Sequence, residues 1–191
     1  MCIRDSYNAV ANEHIIVLDA NIDLTGITGF NSKSGDIAIF GKGFTISNYT
    51  DSQPMFNSVT KAFLCETKFQ NIEVTATGDT SAAPFGSLFH SSRVSAYDVE
   101  FKQIKVNIPA VQSNSTTIGG IVGTCVTTTF RDVKVDDLKI THQGSSGGRL
   151  GGLCGQLHVN FGEFEGVFDS SFKNMHLFSL SSEGHLSLIH I

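Results

Sequence analysis

The residues best suited to chemistry in this chain are its carboxylates. Asp136 and Asp137 are adjacent, and Asp19 and Asp23 lie on either side of Ile22. Two carboxyl groups on the order of 5 to 9 Å apart are what glycoside hydrolysis requires, one as acid and one as base or nucleophile. Adjacent residues on a strand point to opposite faces, so Asp136 and Asp137 are poorly placed to share a substrate. Between Val135 and Leu138 they read as a solvated acidic turn. The histidines between the terminal hexapeptides are His14, His90, His142, His158, His176 and His185. None is paired at metal-ligand spacing, and no HExxH, GxSxG or GxxxxGK[ST] motif occurs. His176 fills the polar slot between Met175 and Leu177 and is expected to face solvent. The stretch from Gly144 to Gly152 resembles a nucleotide loop only in its glycines; it lacks the lysine and the following helix, and reads as a flexible corner. The calcium-binding nonapeptide is absent. The sequence therefore assigns no catalytic residue, no cofactor-binding residue, no metal site and no cofactor.

Composition narrows the partner. With 13 basic and 18 acidic residues the net charge is −5, which argues against a nucleic-acid surface. No stretch reads as a membrane span. Sugar-binding surfaces use exposed aromatic rings, but there is no Trp, only three Tyr, and most of the 15 Phe fall in slots expected to be buried. Thr127-Thr128-Thr129 occurs once and makes no array. Asn48-Tyr-Thr and Asn114-Ser-Thr are glycosylation sequons, relevant only in a secreting eukaryote. Apart from Cys2 the cysteines are Cys65, Cys125 and Cys154. An odd number without a CxxC pair is a poor disulfide framework and a poor zinc site, so buried free thiols are expected.

These residues must be positioned by a repeat. Phe69-Gln-Asn-Ile-Glu-Val74, Phe101-Lys-Gln-Ile-Lys-Val106, Phe130-Arg-Asp-Val-Lys-Val135 and Phe172-Lys-Asn-Met-His-Leu177 align. A second element, Ile118-Gly-Gly-Ile-Val-Gly123, recurs at Leu150-Gly-Gly-Leu-Cys-Gly155, with Phe85-Gly-Ser-Leu-Phe89 as a degenerate earlier version. Aliphatic residues alternating with polar ones are the mark of a half-buried strand. The Phe stands three residues before the first aliphatic, so strict alternation would put it on the wrong face. A bend at Asn71, Gln103, Asp132 and Asn174 solves this, because amides and Asp tolerate left-handed backbone. Stacked bends would let side-chain amides form a ladder. The glycines of the second element relieve crowding or make a close turn.

No helical periodicity is sustained between Tyr7 and His185. Short strands repeated about every thirty residues predict an all-β chain, a right-handed parallel β-helix whose successive coils rest on one another. At about 4.8 Å per coil, roughly six or seven coils span about 30 Å. The earlier strands, His14-Ile-Ile-Val-Leu18, Ile22-Asp-Leu24, Ile37-Ala-Ile-Phe40 and Phe44-Thr-Ile46, fit as the first coils. Corner loops are expected at 77–83, 109–117, 142–148 and 159–165. A jelly roll or antiparallel sandwich is the alternative, since short strands alone do not fix parallel pairing.

The runs IDLTGITGF, IFGKGFTISNYT, GGIVG, FRDVKVDDLKI and GGLCG resemble the right-handed β-helix surface proteins with GLUG-type repeats. The resemblance spans most of the chain from Glu13 to Leu180. It departs from the usual pattern at Cys154, which replaces an aliphatic residue, and at the Phe85 copy, which lacks its second Gly. It implies an adhesin-like, extracellular or cell-surface protein of pectin-lyase-like fold.

The two ends read differently. MCIRDS and LSLIHI back-translate to one DNA word in opposite orientations, which resembles a sequencing-library adapter. Residues 1–6 and 186–191 are thus expected to be adapter-derived, flanking a β-helix repeat domain over 7–185 that is truncated at both sides. Setting the hexapeptides aside removes Arg4 and Asp5 and leaves the net charge unchanged. Open coil ends would expose strand edges and favour aggregation. The function expected from the whole is a non-catalytic stalk or adhesive display surface for an unidentified protein or glycan. The alternative is part of a β-helix polysaccharide lyase or glycoside hydrolase whose catalytic coils are incomplete or absent.

Overall fold

The computed structural model describes residues 13–27, 35–56, 58–77, 84–109, 117–126, 128–143, 149–158, 166–179 and 185–187. The expected corner loop at 159–165 lies outside these residues, as do most of the other three. Thr117 and His142, expected at loop ends, instead belong to strands.

Every described element is a strand, and every pairing is parallel. One sheet runs β1 (Glu13–Val17), β3 (Gly35–Phe40), β5 (Val59–Cys65), β7 (Phe89–Tyr97), β10 (Val122–Val126) and β14 (Cys154–His158). Its β7 also pairs, through its second half, with β11 (Thr129–Arg131), which continues to β15 (Gly166–Phe168). A second sheet stacks β2 (Ile22–Asp23), β4 (Thr45–Asp51), β6 (Lys68–Thr75), β8 (Glu100–Ile108), β12 (Lys134–His142) and β16 (Ser171–Ser179). A third holds β9 (Thr117–Gly119), β13 (Arg149–Gly151) and β17 (His185–Ser187). The antiparallel alternative is thereby set aside, because no described pair runs antiparallel. The β17 pairing sets Leu186 opposite Leu150 and Ser187 opposite Gly151.

Parallel registration puts like on like. Ile46, Phe69, Phe101, Val135 and Phe172 form one inward column of the second sheet, and Tyr49, Ile72, Ile104, Leu138 and Met175 form the next. The rings of Phe69 and Phe101 stack at 5.5 Å, 13° from coplanar. Phe56 and Phe89 do the same at 5.4 Å. Burial of such rings removes about 25 cal/mol of unfavourable hydration per Å², and stacking adds roughly 0.5–1.5 kcal/mol for each pair. Tyr49, fully buried, donates its hydroxyl to the Gln53 carbonyl at 3.0 Å, so its one polar atom is satisfied. Burial pushes its pKa above the ordinary phenol value, because the charged phenolate would be desolvated.

The bends fall in two columns of left-handed backbone. Asn48, Asn71, Gln103, Asp137 and Asn174 all have φ between 51° and 63°, and each interrupts a strand of the second sheet. Glu66, Asp98, Asp132 and Asp169, with φ between 49° and 54°, turn the chain from the first sheet into the second. Non-glycine residues seldom adopt this region, and Asn and Asp do so most readily. The expected amide ladder forms at one end of the stack, where Asn71 donates to Asn48 at 2.7 Å and Asn48 to Asp23 at 3.0 Å; farther along, Gln103 accepts from Gln70 and Asn174 donates to Asp136 instead.

One repeat assignment is corrected here. Phe130–Val135 was expected to stack on Phe101–Val106, but the register places Val135 opposite Phe101, Leu138 opposite Ile104 and Ile140 opposite Val106. Phe130 lies in the first sheet instead, between Ala96 and Val167. Two successive bends, at Asp132 and Asp137, share the same apolar–polar–Asp–aliphatic pattern, and the aromatic initial drew the alignment to the wrong one.

The GGxxG elements stack as the sequence suggested, with Ile118 on Leu150 and Gly119 on Gly151. Their glycines serve close packing: a Cβ on Gly119 would collide with the Val122 carbonyl, and one on Gly151 with that of Cys154. Where the Phe85 copy replaces the second glycine by Ser87, the hydroxyl donates to the Gly120 carbonyl of the next level.

The free-thiol expectation fails for two cysteines. Cys125 of β10 and Cys154 of β14 form a disulfide, with Cα atoms 6.1 Å apart. Spacing hid it because adjacency here comes from stacking, and Cys154 occupies the position of an inward aliphatic. Only Cys65, half-buried, is a free thiol among the described residues.

Three outcomes are expected. Asn71→Val should lower stability to urea by about 1–2 kcal/mol, the cost of forcing a branched residue into left-handed backbone, whereas Asn71→Gly should cost less. Non-reducing peptide mapping should recover the Cys125 and Cys154 peptides joined. Closing 29 residues corresponds to about 3–4 kcal/mol on the chain-entropy account, so reduction should lower the melting temperature. The third outcome concerns pH. Burial pushes the imidazoles of His90 and His142 below their ordinary value. Their neutral forms are favoured by folding, so their contribution is complete above about pH 6.5 and is lost as pH falls below it. Urea midpoints should therefore drop between pH 7.5 and 5, and His90→Phe should lessen the drop.

Candidate functional site: an outward aromatic face

Alternation that buries Ile37 and Ile39 turns Ala38 and Phe40 outward. The same logic in β5 buries Ala62 and Leu64 and leaves Lys61, Phe63 and Cys65 outside. In β7 it leaves Arg93, Ser95 and Tyr97. Registration then builds two outward columns on the first sheet: Ile15, Ala38, Phe63, Ser95 and Thr129, and beside it Val17, Phe40, Cys65, Tyr97 and Arg131.

The rings interlock across these columns. Phe63 lies 5.6 Å from Phe40 on one side and 5.6 Å from Tyr97 on the other. Farther along, the Arg131 guanidinium sits 5.6 Å over the Phe168 ring, a cation–π contact. Ile15 is 68% exposed, Val17 49% and Phe40 38%. Scattered exposed apolar residues are ordinary, but a contiguous run of them marks an interaction surface.

A cleft of about 420 Å³ opens beside Phe63, with Ile15, Asp36, Ala38, Lys61 and Arg93 among its walls. Its depth comes from the small side chains of Ala38 and Ser95 on either side of Phe63. Lys61 is bonded to Asp36 at 3.5 Å, and Arg93 stands next to Lys61 in register. The cleft thus offers an aromatic wall with cationic and anionic groups at its rim, suited to a ligand that is apolar on one face and polar at its edges. Beneath the aromatic row, burial pushes the Cys65 thiol up, with Glu66 and Asp98 adding to the effect. The shift favours the thiol over the nucleophilic thiolate.

The residues singled out for chemistry are scattered. Asp136 and Asp137 form the bend between inward Val135 and Leu138, as expected of a turn, and Asp136 accepts from Asn174 at 2.8 Å. Asp19 is exposed and paired with Lys42 at 3.0 Å. Asp23 accepts from the Thr25 hydroxyl and amide and from Asn48, bonds that hold its carboxyl below the ordinary value. The structure brings neither pair into a shared cleft. His176 is exposed, as expected, while His14 and His142 are buried. The side chains of His158 and His185, Thr127, Asn114 and most of the glycine-rich stretch fall outside the described residues. The Asn48 amide of the first sequon is engaged in the ladder.

Phe40, Phe63 and Tyr97 were missed because most Phe were expected in buried repeat slots and the outward side of these strands was not followed from level to level. The expected burial holds for Phe69, Phe101 and Phe130, which are inside. The signal was present in Ile37-Ala-Ile-Phe40, where alternation that buries both isoleucines must expose the Phe. Comparisons with family models, curated proteins and solved structures gave no match to this chain. No described helix is long and apolar enough to cross a membrane.

If this face is a contact surface held by an independent core, Phe63→Ser should alter stability by less than about 1 kcal/mol. By contrast Phe101→Ser, in a buried column, should cost about 3–5 kcal/mol or prevent folding. Urea unfolding of the two variants checks the contrast.

Proposed function

We propose that this chain is a segment of a right-handed parallel β-helix, serving outside the cell as a non-catalytic stalk or adhesive display surface. The observation that carries the reading is the outward aromatic row of Phe40, Phe63 and Tyr97, held by registered parallel strands whose interior is filled by matched columns. From β7 onward the chain visits the first, second and third sheets in turn and returns to the first. Parallel crossover connections in one sheet are right-handed in about 98% of cases, which supplies the hand.

The extracellular setting draws on two supports. One is the resemblance of GGIVG and GGLCG to GLUG-type surface repeats. The other is the Cys125–Cys154 disulfide, a bond that persists in oxidising compartments. Display follows from the division of labour: the columns fix the backbone, while the outward side chains are free to vary.

The test is binding by the full chain to arrays of neutral glycans and of extracellular-matrix proteins. The expected result is saturable binding to at least one class, lost in the Phe63→Ser/Tyr97→Ser variant with its circular dichroism unchanged. Cleavage of a polysaccharide by the wild-type chain, or binding that survives this double substitution, would overturn the reading.

A further inference from the structure

The second sheet carries a different chemistry on its outward side. In a chain of net charge −5, β6, β8, β12 and β16 present Lys68, Lys102, Lys105, Lys134, Lys139 and Lys173, all exposed. The carboxylates among them are Glu73, Glu100, Asp136 and Asp137. In most columns the signs alternate along the stack: Glu100 lies between Lys68 and Lys134, and Asp136 between Lys102 and Lys173. Opposite charges in register favour the pairing.

One column breaks that rule. Lys139 stands directly between Lys105 and His176. Glu73 engages Lys105 at 3.4 Å at the far end, but among the described residues no ion pair reaches Lys139. Like charges placed opposite one another destabilise a sheet.

The surroundings define what would neutralise the row. On one side lie the amides of Gln103 and Asn174 with Asp137 between them, in the bend column; on the other lie Asn107 and Thr141, followed by Phe178, which is 51% exposed. We propose that the row Lys105, Lys139 and His176 is a binding track for a linear polyanionic glycan running across the strands. The two lysines meet its carboxylates or sulfates, His176, the amides and Thr141 its hydroxyls, and Phe178 the apolar face of one sugar ring. Double-stranded DNA, with one charge per about 1.7 Å, would meet Glu73 at the end of the row and Asp137 beside it, whereas a glycan charged once per sugar can set its charges on the lysines and its neutral groups near the carboxylates. This proposal needs only the register of the second sheet and does not rest on the aromatic face.

Titration calorimetry of the full chain at low ionic strength tests it, with polygalacturonate and dextran sulfate as carboxylate and sulfate probes, neutral dextran as control and a DNA duplex as competitor class. Saturable binding to either polyanion is expected, weakening as salt rises. Lys139→Glu should raise Kd about tenfold, a change of about 1.4 kcal/mol, and Lys61→Glu, on the first sheet, should change it less than twofold. Circular dichroism should be the same for all three proteins. Absence of binding to both polyanions, equal binding of dextran, tighter binding of DNA, or an equal loss in Lys61→Glu would overturn the proposal.

Discussion

Everything in this structure depends on in-register parallel pairing. A parallel ladder places each residue directly over its counterpart one level away, so a choice made at one level is imposed on the next. Inward positions must then agree in polarity and approximately in volume, as Phe69 and Phe101 or Ile72 and Ile104 do. Bends must coincide as well, and the two columns of left-handed residues are the record of that demand. At these sites Asn and Asp reduce the conformational cost, and where the side chains reach one another, as from Asn71 to Asn48 and Asp23, they also satisfy their own polar atoms.

The same constraint determined how much was legible in the sequence. Strand content, the bends at Asn71, Gln103 and Asn174 and the inward burial of Phe69 and Phe101 follow from alternation interrupted by an amide, a local pattern. The failures are all non-local. Whether Phe130 or Val135 sits over Phe101 depends on which of two similar bends meets the neighbouring level, and no short window contains that answer. Cys125 and Cys154 look unrelated until β10 and β14 are laid side by side. The outward aromatic face is intermediate: Phe40 was readable from its own strand, but the approach of Phe63 to Phe40 and Tyr97 required the register of three strands.

Registration also explains how one narrow protein carries two unlike surfaces. Outward columns are under no packing demand, so each sheet can gather one kind of side chain over several levels. The first sheet gathers rings, with Arg131 joining through its contact to Phe168. The second gathers lysines and carboxylates, which mostly alternate and so tie neighbouring strands together. Glycines occupy the third sheet, where backbones approach so closely that Gly119 and Gly151 admit no side chain, while the disulfide joins two strands of the first.

From β5 onward the corners between the first and second sheets consist of only two residues, such as Glu66-Thr67, Asp98-Val99 and Asp132-Val133. The inward member of each is buried. The connections that leave the second sheet, by contrast, differ in length from one level to the next. In genetic terms the chain therefore has two kinds of boundary. A codon added after the second sheet changes only a spacer. A codon added at a two-residue corner shifts the phase of the following strand and turns its interior side chains to solvent. Length variation among descendants of this gene should accumulate along one edge of the molecule and be purged from the other.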